Sequence, residues 1–295
     1  MNFKKLAIAT SLALAAMSAS ATPLDTLVGN LNIKLVGLTT ESNLTPGSNE
    51  STWGIGAITQ ILGTGGRKWD AGTSDGTYLY YMLYGIADQN IIFNPVTNKF
   101  DIYNIGATGG MTDGKIHLDI YRTKTQLVAI DSDLNASPMD RVNFFTYTPF
   151  ASLGPAYLTT EFVKGKGSAA AGGSNPGADE TLATLVQTAN YQVLQAGIEG
   201  DGRFYADVTG GTAYSQWNTN KQAFGSDFDG SFSLKTNGAN HGSGTCTSDE
   251  INTNACFTGL VNDPIRSNKI PEPGSLALFG LALAGLAGVS RRKRK

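Results

Sequence analysis

Apolar side chains recur at every second position in segment after segment, and this period-2 pattern limits the chain to a β architecture more than any other feature does. Over residues 77–84, Tyr78, Tyr80, Met82 and Tyr84 fall on one face, with Leu79, Tyr81 and Leu83 on the other. Residues 30–38 place Leu31, Ile33 and Leu35 between polar neighbours until the register shifts at Val36, and residues 115–121 alternate Ile116, Leu118 and Ile120 with His117, Asp119 and Tyr121. Shorter candidates lie at 90–93, 100–104, 126–130, 142–148, 156–163, 203–208 and 231–234. Thr-Gly-Gly, Ser-Asp-Gly, Asn-Pro, Thr-Asp-Gly and Ser-Pro clusters separate them, each with the steric chemistry of a turn. The 36 glycines among 295 residues argue against long helices, because glycine in a helix interior costs about 1 kcal/mol relative to alanine. The expectation is an all-β domain, a β-sandwich or jelly-roll-like fold.

The run Gly-Lys-Gly-Ser-Ala-Ala-Ala-Gly-Gly-Ser-Asn-Pro-Gly at 165–177 reads as a flexible loop or an interdomain linker. We read it as an insertion at 165–178 within one domain spanning 22–236, because neither flank alone resembles a complete sandwich. Residues 181–189 fit either a short helix or a strand. From 237 to 270 the chain is rich in Asn, Gly, Ser and Thr and reads as a polar linker or stalk. Cys246 and Cys256 are the only cysteines and lie within this stretch. In an exported chain an even pair this close reads as a disulfide. Metal ligation lacks partners, since the only histidines are His117 and His241 and there is no C-x-x-C.

The two ends read as addresses. Lys4 and Lys5 precede an apolar stretch from Leu6 to Met17, and Ala19-Ser20-Ala21 supplies the small-x-small cleavage pattern. Residues 1–21 are therefore expected to be a signal peptide, handled by the Sec translocon and removed by signal peptidase to leave Thr22 first. At the other end Pro271-Glu272-Pro273 precedes an apolar or small-residue segment at 274–289. The basic run Arg291, Arg292, Lys293, Arg294 and Lys295 comes after it. As a helix, these 16 residues span about 24 Å, just short of a hydrocarbon core of about 30 Å. Such a segment holds a chain at a membrane, and the basic run stays on the cytoplasmic side. The two prolines keep the tripeptide extended.

Taken in order, the tripeptide, the Leu/Ala/Gly helix and the terminal basic run closely resemble the PEP-CTERM sorting signal of Gram-negative bacteria over 271–295. The resemblance implies recognition by an exosortase, a membrane-embedded cysteine transpeptidase that removes the helix. It also implies a surface or matrix destination, in hosts that make exopolysaccharide and in some cases form floc or biofilm. An ordinary C-terminal membrane anchor is the plainer alternative. Residues 204–211, with Asn218-Thr219-Asn220 and Asp227-Phe228-Asp229, also resemble segments of such surface proteins; no functional residue is assigned on that basis.

Of the 22 basic residues the signal takes two and the tail five, and the tail takes one of the 24 acidic residues, so the mature part has 15 against 23, net −8. That balance disfavours polyanions, including nucleic acid and acidic polysaccharide, unless a divalent cation bridges them.

Three motifs approach chemistry without reaching it. Gly72-Thr73-Ser74-Asp75-Gly76 fits G-x-S-x-G, but a nucleophile elbow needs a strand before the serine and a helix after it, and here a strand comes next. Residues 109–115 match G-x-x-x-x-G-K; Ile116 then stands where a P-loop needs Ser or Thr. Asp131, Asp133, Asn135 and Ser137 have calcium-loop spacing, but Ala136 and Val142 replace the glycine and the glutamate an EF-hand requires. A weaker calcium site there or at Asp227 and Asp229 competes with a plain Asx-rich turn. Tyr78, Tyr80, Tyr81 and Tyr84, with Trp53, Trp69 and Trp217, suit either sugar stacking or a sandwich core. No catalytic residue, metal or cofactor is assigned. The reading is a non-enzymatic surface or matrix protein acting with exopolysaccharide, with a carbohydrate-binding module as the alternative and a secreted hydrolase third.

Overall fold

The computed structural model describes residues 23–41, 52–63, 68–94, 99–108, 113–127, 153–163, 181–186, 199–235 and 257–271. Eleven strands form one antiparallel sheet. They are β1 (Gly29–Glu41), β2 (Thr52–Gly63), β3 (Lys68–Asp70), β4 (Tyr78–Asn94), β5 (Lys99–Gly106), β6 (His117–Thr123), β7 (Thr159–Phe162), β8 (Thr181–Val186), β9 (Glu199–Gly210), β10 (Phe228–Lys235) and β11 (Phe257–Lys269). The described helix is limited to single turns at Leu24–Thr26, Tyr214–Trp217 and Ala223–Gly225. The all-β expectation holds at that level, but the two stacked sheets of a sandwich are replaced by a single sheet that curls on itself.

The order runs β3-β2-β1-β11-β10-β9-β8-β5-β4-β6, and a further pairing of β2 with β4 closes it into a ring. Long strands that change partners along their length make this possible. The first half of β4 pairs with β2 and β6, and its second half pairs with β5. The hand-over falls at Gly85, whose φ of 77° is a left-handed conformation open to glycine and unfavourable for a side chain. A Cβ at this position would also overlap the Lys115 carbonyl. Residues 90–93, expected as a strand of their own, are thus the continuation of 77–84. β7 supplies a second closure, pairing with β9 on one side and reaching β6 on the other through the Ile120–Leu158 bridge and the Phe162 N–H to Ile116 carbonyl bond of 2.9 Å.

The core lies inside the curl. Leu31, Ile33 and Leu35 of β1 meet Ile58 and Ile61 of β2, Leu79 and Tyr81 of β4, and Leu118 and Ile120 of β6. Phe204, Ala206 and Val208 of β9, Phe228 of β10 and Ile265 of β11 complete the wall. A smaller cluster of Ile55, Ala57, Tyr80 and Met82 sits on the other face of β2 and β4, so the double-sided apolar pattern of β4 is used on both sides. Gly37 and Gly56 face each other across β1 and β2, and a Cβ on either would overlap Tyr81. The paired glycines are the slot that admits that ring.

The register shift expected at Val36 is not in β1, which pairs with β11 without interruption and keeps Leu31, Ile33, Leu35 and Gly37 buried; the irregularity belongs to β2. The β1–β2 register shifts between Lys34 and Leu35, leaving Thr59 as the extra residue. Residues 181–186 are a strand, β8, pairing β5 with β9. The largest departure from expectation is β11. Phe257–Lys269 falls in the stretch read as linker, yet it lies between β1 and β10 and pairs with every residue of β1. Its polar composition made it read as a linker, and Pro264 stands in its middle. That proline lies opposite Lys34 of β1, where the β10 ladder is interrupted between the Gly230–Ile265 and Leu234–Val261 pairs, the kind of position at which a sheet tolerates proline.

Among the described residues no helix is long and apolar enough to cross a membrane. Ala19, Ala21, the insertion at 165–178, Cys246, Cys256, Glu272, Pro273, the segment 274–289 and Arg291, Arg292, Lys293, Arg294 and Lys295 lie outside the described residues.

Candidate functional site

β11 ends at Lys269, two residues before the tripeptide, and β1 begins opposite it, with Gly29 paired to Lys269. Both ends of the domain therefore leave from the same end of the curled sheet. Two short turns close that end: Leu24–Thr26, just after the expected signal cleavage point, and Tyr214–Trp217, which comes after β9. Leu24, Leu27 and Trp217 are fully buried beneath them.

Lys269 ties the two turns together. It is 1% exposed, and its Nζ donates to the carbonyls of Leu24 at 2.9 Å and Asp25 at 3.1 Å. The same nitrogen sits 5.9 Å from the centre of the Trp217 ring, a cation–π arrangement. Ile270 N–H donates to the Gln216 carbonyl at 2.8 Å, so the chain is held until one residue before Pro271, which is exposed. Sequence reasoning missed Lys269, although the signal was present: Ile265, Ser267 and Lys269 share the inward-facing parity of β11.

Asp75 anchors the N-terminal turn from the other side. Its Oδ2 accepts from Leu24 N–H at 3.1 Å, and its Oδ1 accepts from the Trp69 indole at 3.2 Å, from Thr77 N–H at 3.0 Å and from the Thr77 hydroxyl. Burial acts to raise this carboxyl, but the hydrogen bonds outweigh it and hold Asp75 below the usual carboxylate range. Arg122 bridges Asp25 at 2.7 and 3.0 Å. The Gly72–Gly76 segment is thus a turn between β3 and β4, as its context required. Ser74 Oγ accepts from Asp70 N–H at 2.8 Å and has no histidine beside it among the described residues.

Other polar clusters also serve the fold. Asp227, fully buried, accepts from the N–H groups of Val208, Thr219 and Asn220, the last two through one oxygen. That is an Asx-type knot. No group of three or more potential metal ligands occurs among the described residues, and 131–137 lie outside them. Asp119 accepts from the Tyr84 hydroxyl at 2.9 Å and Thr160 N–H at 3.2 Å; its burial raises it above the usual range. His117 stacks on Tyr84 at 4.8 Å and contacts the Thr160 carbonyl and the Asp113 carboxylate. Of the 109–115 motif, residues 113–115 are described, and they precede a strand.

The aromatics divide. Trp69, Trp217, Tyr80 and Tyr81 are buried, as a core reading requires, and the Trp53 side chain lies outside the described residues. Tyr78 is half-buried, its ring parallel to Tyr80 at 6.5 Å. Beside them a cavity of about 310 Å³ is lined by Ala57, Thr59, Tyr78, Tyr80 and Gln126 among others.

No curated protein and no solved structure matches the chain. Residues 269–294 match the family model of the PEP-CTERM protein-sorting motif. The match begins on Lys269, the residue that locks the end of the sheet. The chain therefore carries a PEP-CTERM protein-sorting motif at its C-terminus, a signal that implies export and processing by an exosortase.

Proposed function

We propose that the mature chain is a non-enzymatic cell-surface or extracellular-matrix protein, structural or adhesive in an exopolysaccharide-associated biofilm or floc. Before processing it is anchored in the inner membrane through its C-terminal helix. The observation that carries this reading is the fusion of the sorting motif, without a spacer, to a β-domain whose two ends are locked together. The carboxylates of Asp75, Asp119 and Asp227 support it, since they direct their oxygens at backbone and neighbouring donors that hold the fold. The net charge of −8 expected for the mature part suits a soluble matrix component that meets acidic polysaccharide through divalent cations.

Intact masses from the envelope and the medium of the native host, with a deletion strain beside them, test the reading. A species from Thr22 to the region of Pro271–Pro273, with aggregation and retained polysaccharide reduced in the deletion, is the expected result. A species retaining 274–295 in the membrane fraction removes the exosortase step, and a deletion without effect on aggregation or polysaccharide removes the matrix role.

The second reading is carbohydrate binding at the cavity beside Tyr78, favoured by that half-buried ring, which is backed by the buried Tyr80. Polysaccharide pull-down lost on Tyr78→Ala, with the melting temperature retained, would establish it; binding unchanged by that substitution would end it.

A further inference from the structure

The large apolar side chains exposed among the described residues are Leu62 at 38%, Tyr214 at 41%, Phe224 at 60% and Ile270 at 37%. The register brings them to one end of the sheet. Ile270 is next to Lys269, and Tyr214 opens the turn whose Gln216 carbonyl holds Ile270. Phe224 belongs to the loop that enters β10 at Phe228, opposite Ser267. Leu62 pairs with Asn32, which in turn pairs with Arg266. Scattered exposed hydrophobics need no explanation, but a set gathered at one end marks an interaction surface.

Phe224 adds a second sign. Its φ of 61° is a left-handed conformation that costs a bulky residue free energy and that Gly or Asn would adopt at less cost. The loop holds an aromatic ring outward there, edge-on to Tyr205 at 4.9 Å.

The chain that continues from this end indicates what covers it. Gly274, the first residue of the apolar segment, is three residues beyond Pro271, a reach of at most about 11 Å. Whatever solvates 274–289 therefore begins within about 14 Å of Ile270.

We propose that this end of the domain docks on a lipid bilayer. Tyr214, Phe224 and Ile270 settle into the interface, with Leu62 at the margin, and Pro271-Glu272-Pro273 is thereby held at the membrane surface. The proposal rests on the membrane-anchored stage of the function proposed above and adds the orientation of the domain during it. Tyr214 suits the headgroup level because it pairs an apolar ring with a polar hydroxyl, and Phe224 and Ile270 supply the apolar surface beside it.

The test uses the full chain in phospholipid vesicles with brominated acyl chains, which quench tryptophan on contact. Phe224→Trp is compared with Lys235→Trp, placed by its pairing with Leu260 and Glu199 toward the opposite end of the sheet. In each variant the fluorescence of the parent chain is subtracted, so that only the added indole is read. The expected result is loss of the added signal in Phe224→Trp, greatest with bromines near the headgroup because interfacial side chains sit about 5–10 Å deep, and no loss in Lys235→Trp. Equal quenching in the two variants, in a chain that flotation shows to be membrane-inserted, overturns the docking and leaves the sorting reading standing. A chain that does not float with the vesicles overturns both. An unquenched Phe224→Trp variant that cross-links to itself through this end assigns the surface to a second copy instead.

Discussion

Replacing Asp75 with Asn tests whether one carboxylate holds the N-terminal turn on the sheet. The side chain is 12% exposed and takes four donors on two oxygens. Whichever way the amide is turned, an NH₂ replaces an acceptor. The cheaper orientation puts it at the Oδ2 position against Leu24 N–H, in a residue with no exposure. An orphaned buried N–H costs about 1–3 kcal/mol, and each surviving bond weakens from charge-assisted to neutral, by about 1 kcal/mol or less. These effects overlap, so the expected loss at pH 7 is about 2–4 kcal/mol, or a shift of about 1–2 M in a urea midpoint.

The pH dependence makes the test specific. Asp75 has a folded pKa below its unfolded value of about 3.9. Its contribution is therefore complete above the unfolded pKa and is lost as pH falls through the folded one. The gap between wild type and Asp75→Asn should hold from pH 7 down to about 5 and narrow below about 4. Other carboxylates titrate in the same window but cancel in the difference. An equal gap at pH 7 and pH 2.5, or none at pH 7, would mean that the Asp75 charge does not hold the turn.

Three further outcomes are expected from the same contacts. Asp119 is raised by burial, so the stability it supplies is present below its unfolded pKa and is lost as pH rises through the folded one. Asp119→Asn, whose amide still pairs with Thr160 and Tyr84, should change thermal stability at pH 7 by less than about 1 kcal/mol, whereas Asp119→Ala should cost about 2 kcal/mol. The Tyr81 hydroxyl is buried without a partner, so Tyr81→Phe should cost nothing. It should also relieve part of the ~1–3 kcal/mol expected for Gly37→Ala, whose Cβ meets that hydroxyl as well as the Ile55 carbonyl, and none of the cost of Gly56→Ala, whose Cβ meets the Val36 carbonyl and a Tyr81 ring carbon that phenylalanine keeps; a urea double-mutant cycle reads the coupling. Truncation after Lys235 removes β11 and opens β1 and β10 as bare edges, and limited proteolysis should find no protected domain.

The legible parts of the sequence were those with one buried face and polar neighbours. Leu31, Ile33 and Leu35 marked β1, and Ile116, Leu118 and Ile120 marked β6. β2 escaped because both of its faces are covered over residues 54–58, so nothing alternates, and because Gly54 and Gly56 imitate a turn. β11 escaped because Asn262, Asp263 and Pro264 do the same in the middle of the sheet. Those polar residues are tolerated there because β1 pairs with them continuously while β10 does not. Around the sorting motif the division is similar. The tripeptide, the apolar segment and the basic run are linear signals that need no fold, whereas the roles of Lys269, Gln216 and Trp217 depend on turns distant in sequence that meet only when the sheet closes.

That closure also bears on the order of events. The first strand of the domain pairs along its whole length with the last, from Gly29–Lys269 to Glu41–Phe257, so the contact of greatest sequence separation is also the longest ladder in the sheet. Non-local pairing of this kind is slow to form, and until it forms β1 and β10 are open edges available to other chains. On the proposed reading, the segment after β11 holds the chain at the membrane at the stage when β11 reaches its partners. The tether keeps the unfinished sheet apart from its copies, and completion of the sheet buries Lys269 and fixes Ile270 beside Gln216. The tripeptide then reaches the processing enzyme from a short, defined point. An unfolded chain offers the same three residues on a strand free to withdraw, so the lock at Lys269 couples completion of the fold to presentation of the signal.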